Sequence, residues 1–135
     1  MEENKEKKAL SSYEKKAERV LRDGERVDKI IGSVSSKLGE ITQSNERLSG
    51  FVGRIKVISR MVKNYISGNY RVMPWKSIVL LVAGLIYFIT PIDLIPDFIP
   101  ALGLIDDISM IAFIYRSLKQ DIDEYLLWER DNFSI

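Results

Sequence analysis

Four aspartates lie close together in a strongly apolar part of the chain. Asp93 and Asp97 are the only charged residues within 77–105, and Asp106 and Asp107 follow directly. Carboxylates in apolar surroundings are costly unless partners satisfy them. Converging carboxylate oxygens are the ligands that Mg²⁺ and Ca²⁺ prefer, and they could also relay a proton or an ion. Paired carboxylates can hydrolyse glycosides, but the short chain and the prolines beside these acids make that chemistry remote.

Helix or turn capping and ion pairing are the favoured interpretation of these four aspartates. The carboxylate of Asp93 could accept hydrogen bonds from the backbone N–H groups of a short turn. Asp106 or Asp107 would lie in the first turn of a helix, next to the positive end of its dipole. Pairing with a cation such as Arg71 or Lys76 is a second structural role. We therefore expect no resident cofactor, and Mg²⁺ or Ca²⁺ bound by the four aspartates is the alternative.

Composition removes several kinds of chemistry. The 135 residues include no cysteine and no histidine. Disulfides, thiolate or imidazole metal sites, and Ser-His or Cys-His catalysis are therefore excluded. We predict no catalytic residue. The first residues, MEENKEKK, have no apolar core, so we expect no secretory signal peptide.

Two apolar helices should flank the acids. Residues 77–92 are sixteen residues without a charge, and Pro91 should end this helix. A membrane-spanning helix needs about 20 apolar residues, so the run is short for a span. Pro96 and Pro100 exclude a continuous helix, and a second helix is expected over about 102–129. The pair fits a membrane-interface hairpin or the core of a helical bundle, and its irregular turn must be covered by protein.

The N-terminal half has a heptad pattern. Between residues 10 and 55 apolar positions recur at alternating spacings of three and four, and only Gly24 and Asn45 interrupt them. This period predicts helices over about 9–40 and 45–67. The apolar seam could form a coiled coil with another chain, or the two helices could fold antiparallel on each other.

A basic zone follows the heptads. Residues 47–92 contain seven Lys or Arg and no acid, whereas 93–135 contain three Lys or Arg and nine acids. The helix over 51–66 is amphipathic, so the zone could face anionic lipid or the acidic C-terminal part. No nucleic-acid recognition motif is present, so we expect no nucleic-acid partner. The candidates for lipid-headgroup contact are Arg54, Lys56, Arg60, Lys63, Arg71 and Lys76.

The connection between the basic helix and the apolar hairpin has its own signals. Gly68 should be a left-handed helix C-cap, and Pro74 suits the first turn of the next helix. Tyr70 and Trp75 would be suited to a membrane–water boundary. The candidates for apolar membrane contact are Trp75, Ile78, Leu81, Leu85, Phe88 and Phe98.

The acidic turn also carries a family resemblance. Residues 90–100, TPIDLIPDFIP, followed by Gly103 and the adjacent pair of aspartates, resemble the hallmark of the YkvA-like family of small bacterial proteins. The preceding residues 68–77, GNYRVMPWKS, are also similar, and the resemblance covers about 68–113. It implies a small, membrane-associated protein whose shared segment is a domain of unknown function. It supplies no catalytic residues.

The sequence thus predicts an all-α protein. Residues 1–67 form a heptad-patterned region, a long coiled-coil-like helix or helix pair, that ends with the basic amphipathic helix. Residues 68–135 form a proline-punctuated hydrophobic hairpin domain.

We expect a membrane-surface interaction or scaffold protein on the cytoplasmic side of the cell membrane. Lipid is its expected partner, together with a second copy or another protein on the heptad face. One alternative is a soluble cytoplasmic helical bundle that acts as an interaction module. The other is a protein that binds or handles divalent cations through Asp93, Asp97, Asp106 and Asp107.

Overall fold

The protein is a bundle of helices. The structure, a computed structural model, describes residues 13–44, 49–89 and 100–133, with side chains for 13–40, 50–89 and 109–132. The described elements are α1 (residues 13–20), α2 (Gly24–Ser44), α3 (Ser49–Ser67), α4 (Trp75–Ile89), α5 (Pro100–Ser117) and α6 (Lys119–Phe133). No strand is present in these ranges, so the all-α prediction is confirmed.

Helix α4 is the centre of the bundle. It packs against α2, α3 and α5, and ten of its fifteen residues are buried, on all of its sides. A helix that is apolar all round is stable only when it is surrounded, here by other helices. At its end the ammonium of Lys37 donates a hydrogen bond to the carbonyl of Phe88 and lies 4.4 Å from the centre of the Phe88 ring. A cation at this position also complements the negative end of the helix dipole.

Helices α2 and α3 pack antiparallel. A Cβ placed on Gly24, at the start of α2, would lie 3.8 Å from Cγ2 of Ile66, near the end of α3. Six of the heptad positions with described side chains are buried within this chain, among them Val34, Leu38 and Ile55. The apolar seam is therefore used by the helix pair, which was one of the two arrangements that the pattern allowed.

The continuous helix predicted over 9–40 is wrong at one place. A turn at residues 21–22 separates α1 from α2, and Asp23 caps the new helix. Oδ1 of Asp23 accepts a hydrogen bond from the backbone N–H of Glu25 at 3.0 Å, and its carbonyl accepts one from Arg26 at 3.0 Å. A carboxylate at the N-cap satisfies donors that the first helical turn leaves free. The interruption of the heptads at Gly24 marks this break.

The single helix predicted over 102–129 is also interrupted. Leu118 separates α5 from α6, although its N–H still donates to Ile114 and its carbonyl accepts from Ile122, both at 2.9 Å. Hydrogen bonding of the i to i−4 type thus continues through the junction. The sequence has no glycine or proline there that could have indicated the change.

A common core joins both halves of the chain. One cluster of buried side chains includes Val34 and Ile55 from the first predicted region together with Leu81 and Ile114 from the second. The boundary after residue 67 stays a prediction, and helices on both of its sides bury the same apolar surface.

Candidate functional site

The acidic turn falls mostly outside the described residues. Asp93, Asp97 and Phe98 lie in the segment between α4 and α5, and Asp106 and Asp107 lie in α5 with side chains outside the described set. Within the described part of the chain, no group of three or more Asp, Glu, His or Cys could hold a metal ion. Capping, ion pairing and cation binding by these four aspartates all stay predictions.

Four of the apolar residues predicted to contact membrane lie in the core. Ile78, Leu81, Leu85 and Phe88 are each 0% exposed. Lipid could reach these side chains only if the surrounding helices moved apart. Trp75 differs, because 47% of its surface is exposed at the start of α4. No helix among the described residues is both long and apolar enough to cross a membrane.

The six cations predicted to contact lipid headgroups are all exposed, but three of them contact other groups of the protein. The guanidinium of Arg54 lies 5.4 Å from the centre of the Tyr115 ring, and Arg60 forms an ion pair with Glu129. Arg71 donates to the last carbonyls of α3. Among the described residues, the other three of these six cations, Lys56, Lys63 and Lys76, make no ion pair, hydrogen bond or ring contact with another side chain.

The end of α3 is fixed by a left-handed glycine and an arginine. Gly68 has a φ of +86°, which confirms the predicted C-cap. The N–H of Tyr70 turns back to the carbonyl of Asn64 at 3.1 Å. Arg71 Nε donates to the carbonyl of Tyr65 at 2.9 Å, so its charge lies at the negative end of the helix dipole.

The connection that follows contains both buried and exposed side chains. Tyr70 is 5% exposed, with its ring centre 5.1 Å from that of Tyr125, and Met73 is 4% exposed. The predicted place of Tyr70 at a membrane boundary does not fit this burial. The carbonyl of Pro74 accepts from the N–H of Ser77 at 3.0 Å, so this proline lies at the beginning of α4, as predicted.

An apolar and basic surface results at the end of the bundle. We define the connection patch as Arg71, Val72, Trp75 and Lys76. Val72 is 76% exposed and Trp75 is 47% exposed, and the only other large hydrophobic exposed to this extent among the described residues is Leu127. The sequence reasoning missed Val72, because one valine in an irregular segment has no periodic signal. An exposed tryptophan beside lysine and arginine is typical of a membrane–water interface.

A polar network attaches α6 to α3. Arg60 forms two hydrogen bonds with Glu129, at 2.8 and 3.0 Å. The hydroxyl of Tyr125 donates to Glu129 at 2.8 Å and accepts from the side-chain amide of Asn64 at 2.8 Å. The hydrogen bond from Arg60 lowers the pKa of Glu129. Burial, reinforced by the bond to Glu129, raises the pKa of Tyr125 to about 12.

A second polar contact attaches α6 to the beginning of α4. The hydroxyl of Ser77 donates to the carboxylate of Asp121 at 2.6 Å. Ser77 itself is buried, so this bond satisfies a polar group inside the bundle. Together with the Glu129 network, it attaches α6 to both α3 and α4.

Comparison with known proteins gives two matches. The family described as "Protein of unknown function (DUF1232)" matches residues 77–113, which cover most of α4, the acidic turn and most of α5. The "Uncharacterized membrane protein YkvA" of Bacillus subtilis (strain 168) is 31% identical over 77 residues, which is 57% of this chain and 73% of that protein. No solved structure matches the chain.

Proposed function

The chain belongs to the YkvA-like family, and on that premise we propose that it associates with the surface of anionic membranes as a small helical interaction or scaffold protein. The relative from Bacillus subtilis is called a membrane protein. The observation that carries the proposal is the connection patch, where Val72 and Trp75 are exposed between Arg71 and Lys76.

The patch combines the two forces that hold peripheral proteins on membranes. Each Lys or Arg near an anionic surface contributes about 1 kcal/mol. Burying a whole valine contributes about 1.5 kcal/mol or more, so Val72, at 76% exposure, should contribute about 1 kcal/mol. Trp75, half exposed, should contribute a similar amount because an indole is larger. Loss of both apolar contributions should therefore weaken binding about tenfold to thirtyfold.

In this proposal the bundle stays folded on the membrane. Ile78, Leu81, Leu85 and Phe88 remain in the core, and the protein meets lipid with the α3–α4 end. The exposed ammonium groups of Lys56, Lys63 and Lys76 add attraction to the headgroups. The cytoplasmic leaflet is the side we propose, because it is the leaflet rich in anionic lipid.

A second candidate function is a helical-bundle interaction module that does not use lipid. The burial of α4 favours this candidate, because the other helices already cover the apolar residues of α4 and no lipid is needed to cover them. Its partner would be another protein or a second copy of the chain.

The third candidate, cation binding by Asp93, Asp97, Asp106 and Asp107, has its own test. Mg²⁺ or Ca²⁺ should raise the Tm, and the combined change Asp93→Asn and Asp97→Asn should abolish that rise. An equal Tm with and without these ions would remove this candidate.

Co-sedimentation of the full chain with lipid vesicles tests the membrane proposal. Vesicles with phosphatidylglycerol should bind the protein, vesicles of phosphatidylcholine alone should bind it less, and high salt should release it. The double variant Val72→Ser and Trp75→Ser should bind about tenfold to thirtyfold more weakly. Leu127→Ser is the matched control, because Leu127 is 51% exposed but lies on α6.

Two results would contradict the proposal. One is equal binding to anionic and neutral vesicles, or to neither. The other is an equal loss of binding in the Leu127→Ser control and in the patch variant. If the protein stays monodisperse without detergent and binds neither kind of vesicle, that result would favour the interaction module.

A further inference from the structure

A groove of about 540 Å³ lies between α2 and α3, away from the connection patch in sequence. Its volume is within the range of about 300–1,000 Å³ that is common for small-molecule sites. The walls span eight residues or more of each helix, which is about 10–12 Å at 1.5 Å per residue. The lining residues are Ile31, Ser35, Leu38 and Gly39 from α2, and Lys56, Ser59, Arg60 and Lys63 from α3.

The charges of the groove all lie on one wall and have one sign. The α2 wall is uncharged, whereas the α3 wall presents Lys56, Arg60 and Lys63. Arg60 is paired with Glu129 at the rim. Lys56 and Lys63 are exposed and have no ion-pair partner in the described part of the chain. These two are seven residues apart, so both lie on the same face of α3 and could reach one anion between them.

The floor of the groove is apolar and open. Leu38 is 5% exposed and Ile31 is half-buried. The hydroxyl of Ser59 is buried in the wall without a hydrogen-bond partner in the described ranges. A Cβ placed on Gly39 would have no heavy atom within 4 Å, so the absence of a side chain there keeps the space free.

We propose that this groove binds a single-chain anionic amphiphile of the fatty-acid type. The alkyl chain lies on Ile31 and Leu38, and the carboxylate lies between the ammonium groups of Lys56 and Lys63. Charge complementarity selects the head, because no acid lines the groove. The volume selects one medium-length chain, because a lipid with two acyl chains is far larger than this space. The groove contains no residue of the connection patch and does not rest on membrane binding, although Lys56 and Lys63 are also among the cations proposed to attract headgroups.

Calorimetric titration of the full-length protein with laurate, below its micelle concentration, tests the proposal. We expect one laurate per chain. Dodecyltrimethylammonium has the same tail and the opposite charge, and inorganic phosphate has charge without a tail, so neither should bind comparably. The double change Lys56→Gln and Lys63→Gln should weaken laurate binding at least tenfold, since hydrogen bonds to charged groups contribute about 1.5–3 kcal/mol.

A matched pair of glycine variants separates the groove from the rest of α2. Gly39→Leu should fill the groove and abolish laurate binding. Gly32→Leu is the control, because Gly32 also has open space around its Cβ position but does not line the groove. Both changes replace a helical glycine with a better helix former, so both variants should fold. The patch variant with Val72→Ser and Trp75→Ser should still bind laurate, which distinguishes failure of this site from failure of membrane association.

Several outcomes would overturn the proposal. These are no laurate binding by the wild type, equal binding of dodecyltrimethylammonium or inorganic phosphate, and undiminished laurate binding by a folded Gly39→Leu variant. Equal loss of binding in Gly39→Leu and Gly32→Leu would also overturn it, because the effect would not then come from the groove.

Discussion

Replacing Gly84 with alanine should lower stability relative to the same replacement at Gly32, and the difference reports how tightly α4 packs. A Cβ on Gly84 would lie 2.5 Å from Cδ1 of Ile114 on α5, which is well inside van der Waals contact. It would also lie 3.7 Å from Cδ1 of Ile111. At Gly32 the same atom meets nothing within 4 Å. The two changes are chemically identical, so only the surroundings differ.

The expected magnitude follows from two opposing terms. Alanine stabilises a helix relative to glycine by about 1 kcal/mol, and this term applies at both positions. Forcing an extra carbon into a packed core costs about 1–3 kcal/mol, and this term applies only at Gly84. Gly84→Ala should therefore be about 1–3 kcal/mol less stable than Gly32→Ala. For a chain of this length, each kcal/mol corresponds to about 3–5 °C in Tm.

Urea unfolding followed by circular dichroism measures both variants under the same conditions. Ile114→Val removes the Cδ1 atom that a Cβ at position 84 would meet. Ile114→Val should therefore lower the free energy of unfolding less in the Gly84→Ala background than in the wild type. A double-mutant cycle measures this coupling. Equal stabilisation by Gly84→Ala and Gly32→Ala, with no coupling to Ile114, would refute the close packing of α4 on α5.

Two further predictions concern the network between α3 and α6. The pKa of Tyr125 is raised to about 12 from an ordinary value near 10. The protonated hydroxyl therefore contributes fully to the free energy of unfolding below pH 10, and this contribution is lost as pH rises towards 12. The free energy of unfolding should therefore fall more steeply between pH 10 and 12 in the wild type than in Tyr125→Phe, and equal slopes would contradict this. The pKa of Glu129 is lowered mainly by the hydrogen bond from Arg60. The ionised carboxylate therefore contributes to the free energy of unfolding above about pH 4.5, and this contribution is lost on further acidification. In Arg60→Gln, the free energy of unfolding measured with urea should depend less on pH below about pH 4.5 than it does in the wild type. Arg26→Gln is the control, because Arg26 is exposed and pairs only with the nearby Asp23.

Local signals in the sequence predicted local features well. Gly68 is the only described residue with positive φ, and its flexibility, followed by polar residues, indicated the C-cap. Pro74 lies at the beginning of α4, where its fixed φ is compatible with a helix start. The apolar character of α4 predicted burial, but it could not distinguish lipid from protein as the surroundings.

Features that depend on distant residues were not predictable from the sequence. The Arg60–Glu129 pair joins residues 69 positions apart, and no periodicity connects them. Tyr70 was expected at a boundary because of its type, but the rings of Tyr125 and Trp128 cover it. The break at Leu118 has no glycine or proline signal in the sequence.

Fluorescence of Trp75 on vesicles reports whether the connection patch contacts lipid, since the chain has only two tryptophans. Trp128→Phe leaves Trp75 as the single reporter, and Trp75→Phe leaves Trp128, which packs against Tyr70. On anionic vesicles with brominated acyl chains, we expect the emission of Trp75 to shift to the blue and to be quenched, while that of Trp128 changes little. Membrane-bound protein in which the emission of Trp75 is neither shifted nor quenched would contradict the proposed function, because the connection patch would then not contact lipid.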